Sequence, residues 1–134
     1  MPARLLMRLA AMTLPLVALH CGTAAAQDRW AALVPNQENS STVVWATSKE
    51  QAKKLASLAC KEVSQTCAES PASTNGMDHV FAVMCCSDPK AACAAGVGAN
   101  RSKALEEVKS VLSEAGYAQC SLKSYFKAGT GEKG

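Results

Sequence analysis

The chain has 134 residues, with 14 Lys and Arg against 11 Asp and Glu, a length that suits a single domain. Two of the basic residues, Arg4 and Arg8, fall in an N-terminal segment expected to be removed, so the rest of the chain carries 12 basic and 11 acidic side chains and is close to neutral. That balance excludes the basic stripe that tracks a phosphate backbone, and no nucleic-acid partner is expected.

Arg4 and Arg8 form a positive n-region, Leu9 to Leu19 is an apolar stretch, and Ala24-Ala25-Ala26 supplies small residues for cleavage, the three parts of a secretory signal peptide. Cleavage is expected after Ala26, giving a mature chain that starts at Gln27. The apolar run is shorter than the roughly 20 residues that span a bilayer, so no stable membrane span is expected after cleavage. Cys21 follows the apolar stretch, but His20 stands before it where a lipobox carries a small residue, so lipidation is not expected. The expected address is the periplasm or the cell exterior.

Removal of 26 residues leaves 108, with six aromatic side chains and six cysteines: Cys60, Cys67, Cys85, Cys86, Cys93 and Cys120. An even count in a small exported chain marks a disulfide framework, although six cysteines allow 15 connectivities in principle. A domain this small and this poor in aromatics gains from covalent staples. Closing a loop as short as Cys60 to Cys67 stabilises by roughly 2 to 3 kcal/mol in the chain-entropy description.

In chain order, Trp30-Ala-Ala-Leu-Val is an apolar run, Pro35 to Ser41 a polar turn, and Thr42 to Ala46 a segment of strand character, together a hairpin. Thr47 with Glu50, or Ser48 with Gln51, forms a capping box that opens a helix. Ala52, Leu55, Ala56, Ala59 and Val63 recur at helical spacing. Glu69 to Gly76, rich in Ser, Pro, Asn and Gly, reads as a surface loop. A similar plan begins again about 52 residues on: strand Val80–Met84, turn at Asp88-Pro89, strand Ala94–Val97, and a helix capped by Asn100. Ala104, Val108, Val111, Leu112 and Ala115 make its apolar stripe, and Gly116 its C-terminal cap. Each helix is followed by a cysteine, Cys67 or Cys120. The expected fold is α+β: two β-hairpin-helix repeats giving an antiparallel sheet packed by two helices, in one disulfide-stapled domain over residues 27–126. Residues 127–134, with three glycines and no large apolar side chain, are expected to be a flexible tail.

Trp-Ala-Ala-Leu at Trp30, the hairpin with Trp45, the Thr-Ser-Lys-Glu-Gln-Ala entry to a helix ending in Cys60, and the following Cys67 resemble the small secreted bacterial domains catalogued as domain of unknown function 4189. Cys85, the Gly96-Val-Gly98 turn, Ala104 and Cys120 are similar to that family's second repeat. The resemblance covers nearly all of the mature chain and implies an exported fold of two repeats, with no established activity. Two departures stand out: Leu112 occupies a position where a matched repeat would carry cysteine, and Cys85-Cys86 is a vicinal pair.

Side-chain alternation along a strand sends Cys85 and Cys86 to opposite faces. On a regular strand Cys120 shares a face with Leu122 and Phe126, and Cys85 shares one with Phe81 and Val83, both core-facing rows. The expected pairs are therefore Cys60–Cys67, Cys86–Cys93 and Cys85–Cys120. Thiol-disulfide catalysts use a low-pKa cysteine, typically in C-x-x-C, a spacing this sequence lacks. A vicinal Cys85–Cys86 redox switch, or a soft-metal site at Met84, Cys85, Cys86 and Cys93, competes with structural pairing, which is the commoner fate of exported cysteines. No metal and no cofactor is expected.

Catalytic constellations are sparse. His79, the only histidine after the signal segment, stands beside Asp78 at a strand edge and reads as a solvated turn residue. Glu106 and Glu107 diverge by about 100° on a helix, poor geometry for paired-carboxylate chemistry. Gly96-Val-Gly98 lacks the third glycine of a dinucleotide loop. No enzyme is expected. The expected function is an exported non-catalytic binding module, in its specific form an inhibitor or immunity-type protein acting on a periplasmic or secreted enzyme. Its expected binding loops are Pro35–Ser41, Glu69–Asp78 and Ser87–Ala92. The alternative is an envelope-associated, peptidoglycan-contacting protein, in which Trp30 and Trp45 would stack on sugars.

Overall fold

The computed structural model describes residues 29–134; the expected signal peptide 1–26 and the first mature residue, Gln27, lie outside the described residues. The elements are β1 (Trp30–Leu33), β2 (Val44–Ala46), α1 (Lys49–Val63), β3 (Ala72–Thr74), β4 (Val80–Asp88), β5 (Ala92–Gly98), α2 (Arg101–Glu114) and β6 (Ala118–Lys127).

Both helices start where their caps direct. Ser48 Oγ accepts a hydrogen bond from the Gln51 backbone N–H at 3.2 Å, and Asn100 Oδ1 accepts from the Lys103 N–H at 2.9 Å, each satisfying a donor the first turn leaves free. At the end of α2 the Gly116 N–H donates to Ser113 O and the Tyr117 N–H to Leu112 O, both at 3.0 Å. Gly116 has φ 86°, the left-handed geometry of a Schellman cap that glycine adopts without a Cβ penalty. The buried stripes are narrower than expected: Ala52, Ala56 and Cys60 on α1, and Ala104, Val108 and Leu112 on α2. Leu55 and Val63 are 44% and 61% exposed, and Val111 is 49% exposed. Small residues bring each helix so close to its sheet that a single i, i+4 row fills the contact.

The expected single antiparallel sheet is instead two three-stranded antiparallel sheets, ordered β2-β1-β3 and β5-β4-β6. The physical reason lies in the central strands. Trp30 to Val34 and Val80 to Cys86 are unbroken apolar runs, the mark of strands covered on both faces. Ala32 and Val34 pack with Ala52, Ala56 and Cys60 under α1. Ala31 and Leu33, on the other face, meet Phe81, Val83 and Phe126 from the second sheet. Ala82, Met84 and Cys86 face Ala104, Val108 and Leu112 of α2. The layers therefore run α1, sheet, sheet, α2, with the two sheets face to face.

Two further segments depart from expectation. The loop Glu69–Gly76 contains β3, which pairs with β1 through Ala31↔Thr74, Ala32↔Ser73 and Leu33↔Ala72. Residues 127–134, expected as a flexible tail, fold back on β6: Tyr125 and Gly134 exchange two backbone hydrogen bonds, and the Lys127 N–H donates to Glu132 O. Ala128 is fully buried, and its carbonyl accepts from Trp45 Nε1 at 2.8 Å. The glycines expected to loosen this tail allow it to turn, with Gly131 at φ 77°.

Candidate functional site

Three disulfides form, Cys60–Cys67, Cys85–Cys93 and Cys86–Cys120. The first agrees with the sequence reading; the expected pairs Cys86–Cys93 and Cys85–Cys120 do not form. Alternation along β4 holds, with Cys86 on the α2 side. It fails along β6, because the register slips between Val83 and Met84: Val83 opposes Ser124, whereas Met84 opposes Leu122. Lys123 is the extra residue, a β-bulge that exchanges the two faces of the strand. Ser124 and Phe126 stay with Val83 and Phe81, while Leu122 and Cys120 turn to Met84 and Cys86. The expected Cys86–Cys93 pair fails for a separate reason, because the β4–β5 register sets Cys85 directly opposite Cys93 and Cys86 opposite Ala92.

The three expected binding loops have different fates along most of their length. In Pro35–Ser41, Pro35, Asn36 and Ser41 are buried. Asn36 Oδ1 accepts from Ser40 N–H at 3.0 Å and Ser40 Oγ at 3.2 Å, and its Nδ2 reaches Cys60 Sγ at 3.6 Å. The Glu38 carboxylate accepts hydrogen bonds from Ser64 Oγ and Thr66 Oγ1, which hold it below the usual carboxylate range. Glu69–Asp78 contains the three residues of β3. Ser87–Ala91 stays exposed.

All three nevertheless meet at one place. A groove of about 640 Å³ runs beside β5, an edge strand, and Gln37, Glu69 to Pro71, and Lys90 to Ala92 line it from the three loops. The end of α2, through Val111 and Leu112, and Tyr117 just beyond its cap form another wall. Cys67 and Cys93 also line it, so two of the three disulfides anchor its walls, one to α1 and one to β4. The lining mixes apolar surface with one lysine, one glutamate and several amides and hydroxyls. Tyr117 and the β5 edge are absent from the sequence-based candidates; an uncharged run of small residues from Ala92 to Gly98 is the signal that points to that edge.

The residues weighed for chemistry have structural partners. His79 Nδ1 lies 2.7 Å from Thr74 Oγ1, which also accepts from the Gly76 N–H; the ring is half-buried and braces this turn, where a solvated residue was expected. Glu106 pairs with Lys103 at 3.7 Å on the surface of α2. Glu107 Oε1 accepts from the Val97 backbone N–H at 3.1 Å. Trp30 and Trp45 are both half-buried and lie on opposite faces of their sheet, Trp30 opposing Ala46 and Trp45 opposing Ala31. They cannot form one sugar-stacking platform. Among the described residues no group of three or more His, Cys, Asp or Glu is arranged to hold a metal ion, and no helix is long and apolar enough to cross a membrane.

Comparison with family models, curated proteins and solved structures gives no match to this chain.

Proposed function

We propose that this chain is an exported, non-catalytic binding module, acting as an inhibitor or immunity-type protein on a periplasmic or secreted enzyme. The observation that carries this reading is the groove beside β5, where three loops converge and where Cys67 and Cys93 tie the walls to the scaffold. A surface held in place before contact loses little conformational freedom on binding, which favours affinity. Export follows from the signal-like segment 1–26 and accords with three disulfides, which form and persist in oxidising compartments.

The same proposal takes the chain as a member of the domain of unknown function 4189 family and its two halves as an internal repeat. Each half runs strand, strand, helix, strand, and each sheet places its first strand at the centre.

The test is affinity capture with the oxidised protein against periplasmic and secreted fractions, beside reduced and alkylated bait, followed by an assay of each recovered enzyme. One enzyme recovered by the oxidised form alone, and losing turnover when the protein is added, is the expected result. Recovery of cell-wall material alone, or an enzyme whose turnover is unchanged, contradicts it.

A further inference from the structure

Strand edges expose backbone donors and acceptors to any polypeptide that reaches them, and natural proteins blunt them by shortness, charge, bulges or cover. Three of the four edges here are blunted. β2 and β3 have three residues each. β6 is bulged at Lys123, and the chain's own C-terminal segment pairs with it at Tyr125, Phe126 and Lys127. β5 is the exception: Ala-Cys-Ala-Ala-Gly-Val-Gly, seven residues with no charge and no proline.

Which groups β5 offers follows from its register. Cys85 and Cys93 oppose one another with Cα atoms 4.0 Å apart, the close spacing of a non-hydrogen-bonded pair. In such a pair each residue's N–H and C=O point away from the partner strand. Cys93 therefore directs both groups away from β4, and the period of two assigns the same direction to Ala95 and Val97. Val97 confirms the parity, because its N–H is taken by the Glu107 carboxylate rather than by a strand. Among the described residues nothing pairs with the outward N–H groups of Cys93 and Ala95, and both residues line the groove.

We propose that the groove binds an extended segment of its protein partner by strand addition, pairing antiparallel or parallel with β5 at Cys93 and Ala95. This rests on the binding-module reading and specifies its recognition mode. The incoming strand would turn alternate side chains to Val111 and Leu112 of α2 and to Pro71 on the opposite wall. An apolar residue fits the first position, where Val111 is half-exposed and unpartnered. The edge lies recessed between α2 and the Gln65–Pro71 segment. A single strand can enter that recess; the β5 edge of a second copy, carrying its own helix and wall, would meet both walls first.

The test selects peptides from a phage-displayed random dodecapeptide library on the purified oxidised protein and measures amide hydrogen exchange with a selected peptide bound. Exchange at Cys93 and Ala95 should slow by about tenfold or more, as pairing of a free edge requires. Ala95→Pro removes the outward N–H without touching the ladder to β4, and should weaken the peptide by about tenfold or more. The selected peptide N-methylated at alternate amides should lose affinity in one of its two registers, a readout that does not depend on how the proline variant folds. Protection confined to another surface, such as Leu55 and Leu58 of α1, overturns strand addition and leaves the binding-module reading standing. So does a β5-mediated dimer of the protein, or selection of no peptide while an enzyme is still captured. No peptide and no captured enzyme together overturn both.

Discussion

Asn36 shows how much one side chain carries in a small fold. It is fully buried and central to a loop that the chain packs beneath itself, with its amide oxygen accepting two hydrogen bonds from Ser40. Asn36→Ala removes that acceptor and leaves the Ser40 N–H without its partner, which costs about 2 kcal/mol on the usual scale for an orphaned polar group. A lowered denaturant midpoint with an unchanged slope would register the loss; an unchanged midpoint would mean that the loop does not depend on this residue. The sequence displays Asn36 only as part of Pro-Asn-Gln-Glu-Asn-Ser, a polar stretch between apolar runs, and such stretches are ordinarily solvated. What it does not display is that Val34 and Val43 on either side are both buried and draw the loop inward. The cysteines were legible as a framework for the opposite reason, since their number and setting speak without knowledge of geometry.

At the scale of elements, the start of α2 was legible to the residue and that of α1 to within one, Thr47 or Ser48, because Ser48 and Asn100 act locally. Of the cysteine partners only Cys60–Cys67 was; the other two pairs depend on strand register and on a bulge, which are properties of two strands together and leave no local mark on one. Deleting Lys123 should join Leu122 to Ser124 in regular alternation and remove the bulge, with Cys120 still opposite Cys86. The oxidised variant should then show no more free thiols than the parent on titration under native conditions; two additional thiols would refute Lys123 as the residue that sets the pairing of Cys86 with Cys120. Gly96 and Gly98, which the sequence does not make a phosphate loop, have a packing role. A Cβ on Gly96 would come within 2.6 Å of the Val108 backbone N, and one on Gly98 within 2.5 Å of the Ala104 N. Their bareness lets the backbone of α2 lie directly on β5, which sets one wall of the groove against the open edge. Periodicity identifies a helix face, but it does not report so close an approach.

For the whole molecule, the two-sided burial of β1 and β4 decides the architecture. One helix covers one face of each sheet, and among the described residues the remaining face of each packs against the other sheet. The unbroken apolar runs carry that information, yet a hairpin followed by a helix implies only one covered face. Stacking the sheets brings together, at the edge of β5, loops that stand far apart in the chain: Gln37, Glu69 to Pro71, and Lys90 to Ala92. The loops could be named in advance as surface connections; their convergence is a product of the tertiary fold.

The central claim is that this groove, and no other surface, meets a protein partner. Its most direct test is site-specific photocrosslinking of the oxidised protein in periplasmic and secreted fractions, with p-benzoylphenylalanine placed at Val111 in the groove wall or at Leu58 on the exposed face of α1. A single enzyme crosslinked from Val111 and not from Leu58 is the predicted result. The same enzyme crosslinked from Leu58 and not from Val111 would contradict it.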